Sequence, residues 1–281
     1  GPVSVAAFSR DGKRLVSGSA ADNDLKVWDV GSGKVLHTLP GLGEEVSSAA
    51  LSGDGSTLAV VGAGNTVDVV DVKSGEVVQS LRGSSKPLSV ATSADGTHVV
   101  TGSADGDVDV WHVPSGGKVQ TLRGHTDDVT AVGLSADGSK VVSASEDKSV
   151  KVWDVATGKA TSTLPGHVEG VKSVCLSPGG SRVVSSAGDS SVCVRDVSSG
   201  KVLDLVPGHT DNVTSVAFSG DGGVLMSGAD GDKVHVASAG GGSASSGAPG
   251  LDRGASTTMS GHSGPVSVAA FSRDGKRLVS G

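Results

Sequence analysis

Eight histidines, with abundant serine and aspartate, are the residues of this 281-residue sequence best suited to chemistry. Three of them, His125, His167 and His209, each follow a glycine and recur at steps of 42 residues. Imidazole is a common zinc ligand and a common general base near neutral pH. Either role requires groups that converge on one point. Residues recurring at a fixed long period sit in successive copies of one unit and do not converge. His37, His98, His112 and His235 are scattered, and neither an H-E-x-x-H nor a C-x-x-C spacing occurs. The stretches "DNDLK" and "DGDVDV" resemble calcium loops but lack the remaining ligands and the distal glutamate, and both fall where a tight turn already asks for Asp and Gly. "GLGEEV" and "GAGNTV" lack the following helix and the Lys-Ser/Thr pair of a phosphate loop. No G-x-S-x-G elbow is present. The reading assigns no catalytic residue, metal or cofactor, and the chain is expected to be non-enzymatic.

The elements that position these residues follow from internal repetition. Aligned on V-x-x-V-x-[FL]-S, six units start at Val3, Val46, Leu88, Val129, Val171 and Val213, with steps of 43, 42, 41, 42 and 42. Residues 264–281 then repeat residues 1–18 letter for letter. Each unit has four short Val-rich segments. In the fourth these are "VTAVGLS", "KVVSAS", "SVKVWDV" and "ATSTLPG", parted by "ADGS", "EDK" and "ATGK". Runs of this length between Asp/Gly turns are strands of an antiparallel meander. A four-stranded sheet cannot bury both faces alone, and stacking such sheets around an axis covers both. The expected fold is all-β: six full blades over residues 1–265, with 266–281 starting a partial, two-strand seventh.

Units of this length, with "GH" before the first strand and "WD" closing the third, resemble the WD-repeat β-propeller family. The fourth unit, "GHTDDVTAVGLSADGSKVVSASEDKSVKVWDV", carries the full pattern. The resemblance implies a hydrogen-bonded His–Ser/Thr–Asp–Trp network in each blade: His125, Ser143, Asp147 and Trp153 in the fourth unit. The fifth has His167, Ser185 and Asp189, with Arg195 for the tryptophan. The third has Thr101, Asp105 and Trp111, with Ser84 for the histidine. The sixth has His209, Ser227 and Asp230, with Ala237 for the tryptophan. The second places Leu42, Val60, Gly64 and Val70 at the four positions and is expected to pack as an apolar blade. The first has Ser17, Asp22 and Trp28 but no "GH". His262 is expected either to close the ring onto those three or to serve the second copy through Ser280.

Charge and cysteine content bound the remaining functions. A net charge of −7 argues against bulk attraction to nucleic acid or to an anionic membrane. No apolar run approaches the ~18 residues that span a bilayer. Two cysteines form no disulfide framework, which favours an intracellular, cytoplasmic setting. Cys175 and Cys193 fall on the first and third strands of one blade, about 10 Å apart at the usual strand spacing, beyond disulfide reach. Asn212-Val213-Thr214 matches a glycosylation sequon but reads as a loop-to-strand junction. The loops before the first strands and the second-to-third turns share one face. That face gathers Glu44, Glu45, Asp127, Asp128, Glu169, Asp211 and Asn212, then Asp24, Asp107, Glu146 and Asp232, against Lys86, Lys148 and Lys233. The opposite face collects Lys34, Lys73, Lys118, Lys159 and Lys201 beside Arg10, Lys13, Arg14, Lys140 and Arg182. The expectation is a protein-interaction scaffold whose acidic face steers basic proteins or peptides, with self-association through 266–281 as a further route; the alternatives are a propeller module of a larger repeat-array signalling or sensor protein and a nucleic-acid binder using the basic face, which the net charge and scarce aromatics disfavour. Residues 237–256, "ASAGGGSASSGAPGLDRGAS", have the composition of a flexible linker inside the sixth unit.

Overall fold

The computed structural model describes residues 3–9, 11–19, 24–40, 46–62, 65–206, 208–231, 233–239, 256–262, 264, 266, 269–271 and 278–280. Among the described residues, twenty-six strands form six four-stranded antiparallel blades and one two-stranded sheet. The first blade is β1 (Val3–Phe8), β2 (Arg14–Ser19), β3 (Asp24–Asp29) and β4 (Lys34–Pro40). The second is β5 (Ser48–Leu51), β6 (Thr57–Val61), β7 (Thr66–Asp71) and β8 (Glu76–Arg82). The third is β9 (Pro87–Thr92), β10 (His98–Ser103), β11 (Val108–His112) and β12 (Gly117–Leu122), with a 3-10 turn at Val113–Ser115. The fourth is β13 (Val129–Leu134), β14 (Lys140–Ser145), β15 (Ser149–Asp154) and β16 (Lys159–Pro165). The fifth is β17 (Val171–Leu176), β18 (Arg182–Ala187), β19 (Val192–Asp196) and β20 (Val202–Val206). The sixth is β21 (Val213–Phe218), β22 (Val224–Ala229), β23 (Lys233–Ser238) and β24 (Ser256–Ser260). The two-stranded sheet is β25 (Ala269–Phe271) with β26 (Leu278–Ser280).

Valine dominates the inner strands because a branched side chain packs well on a pleated surface. Five of the turns between first and second strands are built alike among the described residues, the fifth blade having Pro178-Gly179 in place of the aspartate turn. Ser52 Oγ–H donates to Asp54 Oδ1 at 2.6 Å, and the same bond recurs at Ser9–Asp11, Ser93–Asp95, Ser135–Asp137 and Ser219–Asp221. The glycine that follows, such as Gly55 or Gly138, takes φ +70°, where a side chain would strain the backbone. These serine hydroxyls, followed by the Thr97 and Ser139 backbone N–H groups, hold Asp95 and Asp137 down at about 2.

The first strands line the axis, with β25 packed between β21 and β1, so that the two-stranded sheet occupies a seventh position in the ring. Among the described residues, six blade-to-blade boundaries hold apolar clusters. Between first and second blades, for example, Val16, Leu25, Val27 and Leu39 meet Leu51, Leu58, Val60 and Val70. Side-chain latches cross these boundaries as well. Thr130 Oγ1–H donates to Val171 O at 2.5 Å, Ser186 Oγ–H to Val213 O at 3.0 Å and Thr214 Oγ1–H to Val266 O at 2.6 Å. Phe8, Leu51, Thr92, Leu134, Leu176, Phe218 and Phe271 surround an axial cavity of about 310 Å³.

Candidate functional site

The blade networks tie the loops of one face to the strands beneath them. In the fourth blade, β14 supplies Ser143, β15 supplies Trp153, and the turn between these strands supplies Asp147. Trp153 Nε1–H donates to Ser143 Oγ at 2.8 Å. Ser143 Oγ lies 2.7 Å from His125 Nε2, and His125 Nδ1 lies 2.7 Å from Asp147 Oδ2. A carboxylate beside Nδ1 places the proton there, so the Ser143 hydroxyl donates to Nε2. Burial, outweighing the pull of Asp147, keeps His125 below its ordinary value and therefore neutral. Burial acts in the other direction on Asp147, but hydrogen bonds from Ser149 and then His125 offset it and hold the carboxyl below the usual range. The contact is thus a charge-assisted hydrogen bond from a neutral imidazole.

The other blades show how partial networks settle. In the fifth, His167 Nε2 is 2.8 Å from Ser185 Oγ, while Nδ1 reaches Ser191 Oγ at 2.9 Å and is 3.6 Å from Asp189. Ser191 bonds Asp189 in turn and so relays between them. Arg195 is buried at the tryptophan position. In the third, Trp111 Nε1–H donates to Thr101 Oγ1 at 3.1 Å, and Ser84 Oγ–H, at the histidine position, reaches Asp105 at 3.3 Å. In the first, Trp28 Nε1–H donates to Ser17 Oγ at 2.9 Å. His262 Nε2 lies 2.7 Å from Ser280 Oγ, so of its two expected destinations it takes the seventh sheet. Val60 and Val70 are buried in the second blade's core.

The sixth blade departs from the expectation at Asp230. His209 Nε2 is 2.6 Å from Ser227 Oγ, but Asp230 is exposed and its backbone N–H bonds Asn212 O. The sequence position of Asp147 is taken here by Gly231, one residue later, so Asp230 points away from the network. With Ala237 for tryptophan, His235 of β23 packs edge-on against His209, ring centres 4.2 Å apart. Burial, and then His235, depress His209 to about 4. The sequence reading missed His235 and the two relay serines. Ser149 and Ser191, each two residues after its aspartate, carried a usable signal in their 42-residue spacing.

On the face above these networks, Asp127, Glu169, Asp211, Asn212, Lys86 and Lys148 are exposed, and Asp128, Asp24, Asp107 and Glu146 are partly so. The rim is contiguous from fourth to sixth blade. Glu146 lies against Gly170, Glu169 and Asn212 flank Gly188, and Asp211 lies against Gly231. Two bases absent from the expected set neutralise part of it. Lys172 Nζ bonds Glu146 at 2.6 Å, and Arg123 Nε bonds Asp107 at 3.1 Å. Asp22, Glu44, Glu45 and Asp232 lie outside the described residues, as do Arg10, Leu42, Gly64 and the linker 240–255. On the opposite face Lys34, Lys73, Lys159 and Lys201 are exposed, while Lys118 reaches buried Asp109 at 2.7 Å and covers the Trp111 ring. Cys175 and Cys193 are free thiols on β17 and β19 with β18 between them, and burial raises the Cys193 thiol. No helix among the described residues is long and apolar enough to cross a membrane.

A family model described as WD domain, G-beta repeat matches residues 1–29, 75–112, 116–154, 158–196, 200–236 and 255–281. Four of these segments begin at the outer strand of one blade and run into the third strand of the next, and most of the second blade lies outside them. Autophagy-related protein 16 of Arabidopsis thaliana is 37% identical over 82 residues, which cover 29% of this chain and 16% of that relative.

Proposed function

The chain belongs to the WD domain, G-beta repeat family, and from that premise we propose that it is a non-catalytic, intracellular scaffold that binds proteins or peptides. Propellers of this kind present rigid loops on a ring, and such surfaces suit interaction more than chemistry.

The carrying observation for a partner is the contiguous rim of the fourth to sixth blades. There Asp127, Asp128, Glu169 and Asp211 stand on one face while, among the described residues of that sector, Glu146 is the carboxylate matched by a lysine. We place basic peptides on this rim, drawn by long-range steering. The test compares capture of lysine/arginine-rich and acidic peptides by the wild type and by a charge-reversed Asp127→Lys, Glu169→Lys, Asp211→Lys variant. Basic peptides are expected to bind with a strong salt dependence and to be lost on reversal. Equal capture by both proteins would remove the rim from consideration.

A further inference from the structure

Eight Asp-Gly pairs occur in the chain, and seven of them, at 11–12, 54–55, 95–96, 105–106, 137–138, 221–222 and 230–231, lie among the described residues. Such a pair can rearrange its own backbone, because glycine has no Cβ to hinder attack of its nitrogen on the preceding side chain. The attack needs two free groups, the glycine N–H and the aspartate carboxyl. In six pairs both are held. The glycine N–H donates to the carbonyl of the serine three residues before it, at 2.8–3.2 Å, and the glycine takes φ +70° to +80°. The carboxylates accept from the turn serines, or from Ser84 at Asp105.

Asp230-Gly231 has neither restraint. Among the described residues no hydrogen bond reaches the Gly231 N–H or the Asp230 carboxylate, and Gly231 lies outside the left-handed region. Asp230 is exposed, and a Cβ on Gly231 would meet only the Asp211 carboxylate, 3.1 Å from Oδ2. The tetrapeptide Ala-Asp-Gly-Asp gives an internal comparison, since it stands at 104–107 and again at 229–232 in the matching turns of the third and sixth blades. Asp230 N–H bonds Asn212 O where Ala104 N–H bonds Lys86 O, so the second copy sits one residue later on its turn. The shift puts Gly231 in the place of Asp147, whose N–H donates to Ser145 Oγ at 3.1 Å. Ser145 and Ala229 hold the same ladder position, opposite Val129 and Val213, and alanine offers no acceptor.

We propose that Asp230 is a site of spontaneous isoaspartate formation. The Gly231 nitrogen bonds to Cγ of the protonated Asp230 carboxyl, and the amide proton and the carboxyl hydroxyl leave as water. The product is a cyclic imide. Water then adds to one imide carbonyl and breaks its bond to the Gly231 nitrogen. Cleavage at the Asp230 main-chain carbonyl leaves the chain running through Cβ and Cγ, one atom longer, with that carbonyl freed as a carboxylate. Mass and charge are unchanged, and no oxidant or reductant is involved. The added atom lengthens the turn between β22 and β23 beside Asp211.

The test incubates the folded protein for weeks near neutral pH at physiological temperature. Each Asp-Gly peptide is then mapped by electron-transfer fragmentation, which separates aspartate from isoaspartate at equal mass. Held pairs react only through local opening, whose free energy sets how far they lag. Conversion at Asp230 is expected to run several-fold ahead of Asp105 in the folded protein and to match it in concentrated urea, where both turns are open. Ala229→Ser restores the missing acceptor and is expected to slow Asp230 several-fold. Equal conversion at 230 and 105 in the folded protein, none at 230, or a lead of 230 that persists in urea overturns the proposal. These outcomes are read on the unaltered chain, so they stand even if the variant does not fold.

Discussion

Ser143 makes two hydrogen bonds with one oxygen, so its loss is felt twice. In Ser143→Ala the buried indole N–H of Trp153 loses its acceptor and His125 Nε2 loses its donor. Each orphaned buried group costs about 1–3 kcal/mol, and the urea midpoint should fall accordingly. Val60 holds the matching place in the second blade without any polar partner, so Val60→Ser should also destabilise, by burying a hydroxyl in an apolar cluster. Equal stability of either variant and the wild type would contradict the division between polar and apolar blades. The same networks set an acid limb. Free histidine titrates near 6.5. Burial and then His235 hold His209 at about 4, and burial lowers His125, His167 and His235. These side chains fold neutral, so their stabilisation is full above about pH 6.5 and is lost as pH falls from there toward 4. The turn aspartates act lower. Asp95 and Asp137, at about 2, lose their contribution as pH falls from about 4 toward 2. Urea midpoints should therefore decline between pH 6.5 and 4, and His209→Gln should flatten that limb. A wild-type midpoint that stays level over this range would contradict burial of the neutral rings.

Glycines of the second strands set how closely each blade meets the next. A Cβ at Gly102 would stand 2.5 Å from Val129 Cγ1, and one at Gly228 would stand 2.8 Å from Val266 Cγ1. Alanine at either position wedges the boundary, at about 1–3 kcal/mol for an overpacked site. The consequences differ by element. Gly102→Ala strains two complete blades and should lower the midpoint of the whole transition. Gly228→Ala strains chiefly the docking of the seventh sheet, with a second approach of 3.0 Å to Ser215 Oγ in its own blade, so hydrogen exchange over 266–280 should accelerate with a smaller fall in that midpoint. Identical behaviour of the two variants would mean that the seventh sheet is as firmly integrated as a full blade. Much of this element-level design was legible in the sequence, because the 41–43-residue steps, the Asp-Gly turns and the Val-rich runs all serve one packing problem. Asp230 was misplaced because Asp230-Gly231-Asp232 leaves the register of the turn undetermined by one residue, and backbone bonding to Asn212 decides it. Lys172 and Arg123 went unread as members of the acidic face because each stands at the end of a strand and reaches a carboxylate of a neighbouring turn.

For the ring as a whole, stability is nearly a sum of blade energies and nearest-neighbour boundaries, so its weakest boundary governs how it opens. Sequence alone left the destination of His262 open, since two identical copies offer it identical serines. The position of β25 between β21 and β1 decides it. Among the described residues that choice leaves six boundaries with apolar clusters and one, between the seventh sheet and the first blade, with a cavity, and it leaves Trp28 only partly buried, whereas Trp111 and Trp153 are 4% and 1% exposed. Opening should therefore begin beside the first blade and spread around the ring from there. Local unfolding free energies range from near zero up to the global value, and native-state hydrogen exchange at low urea resolves them. Amides of β1–β4 and β25–β26 are expected to exchange through a smaller opening, at lower urea, than those of β9–β20, whose blades have closed boundaries on both sides. Uniform protection around the ring would mean that the cavity carries no energetic weight.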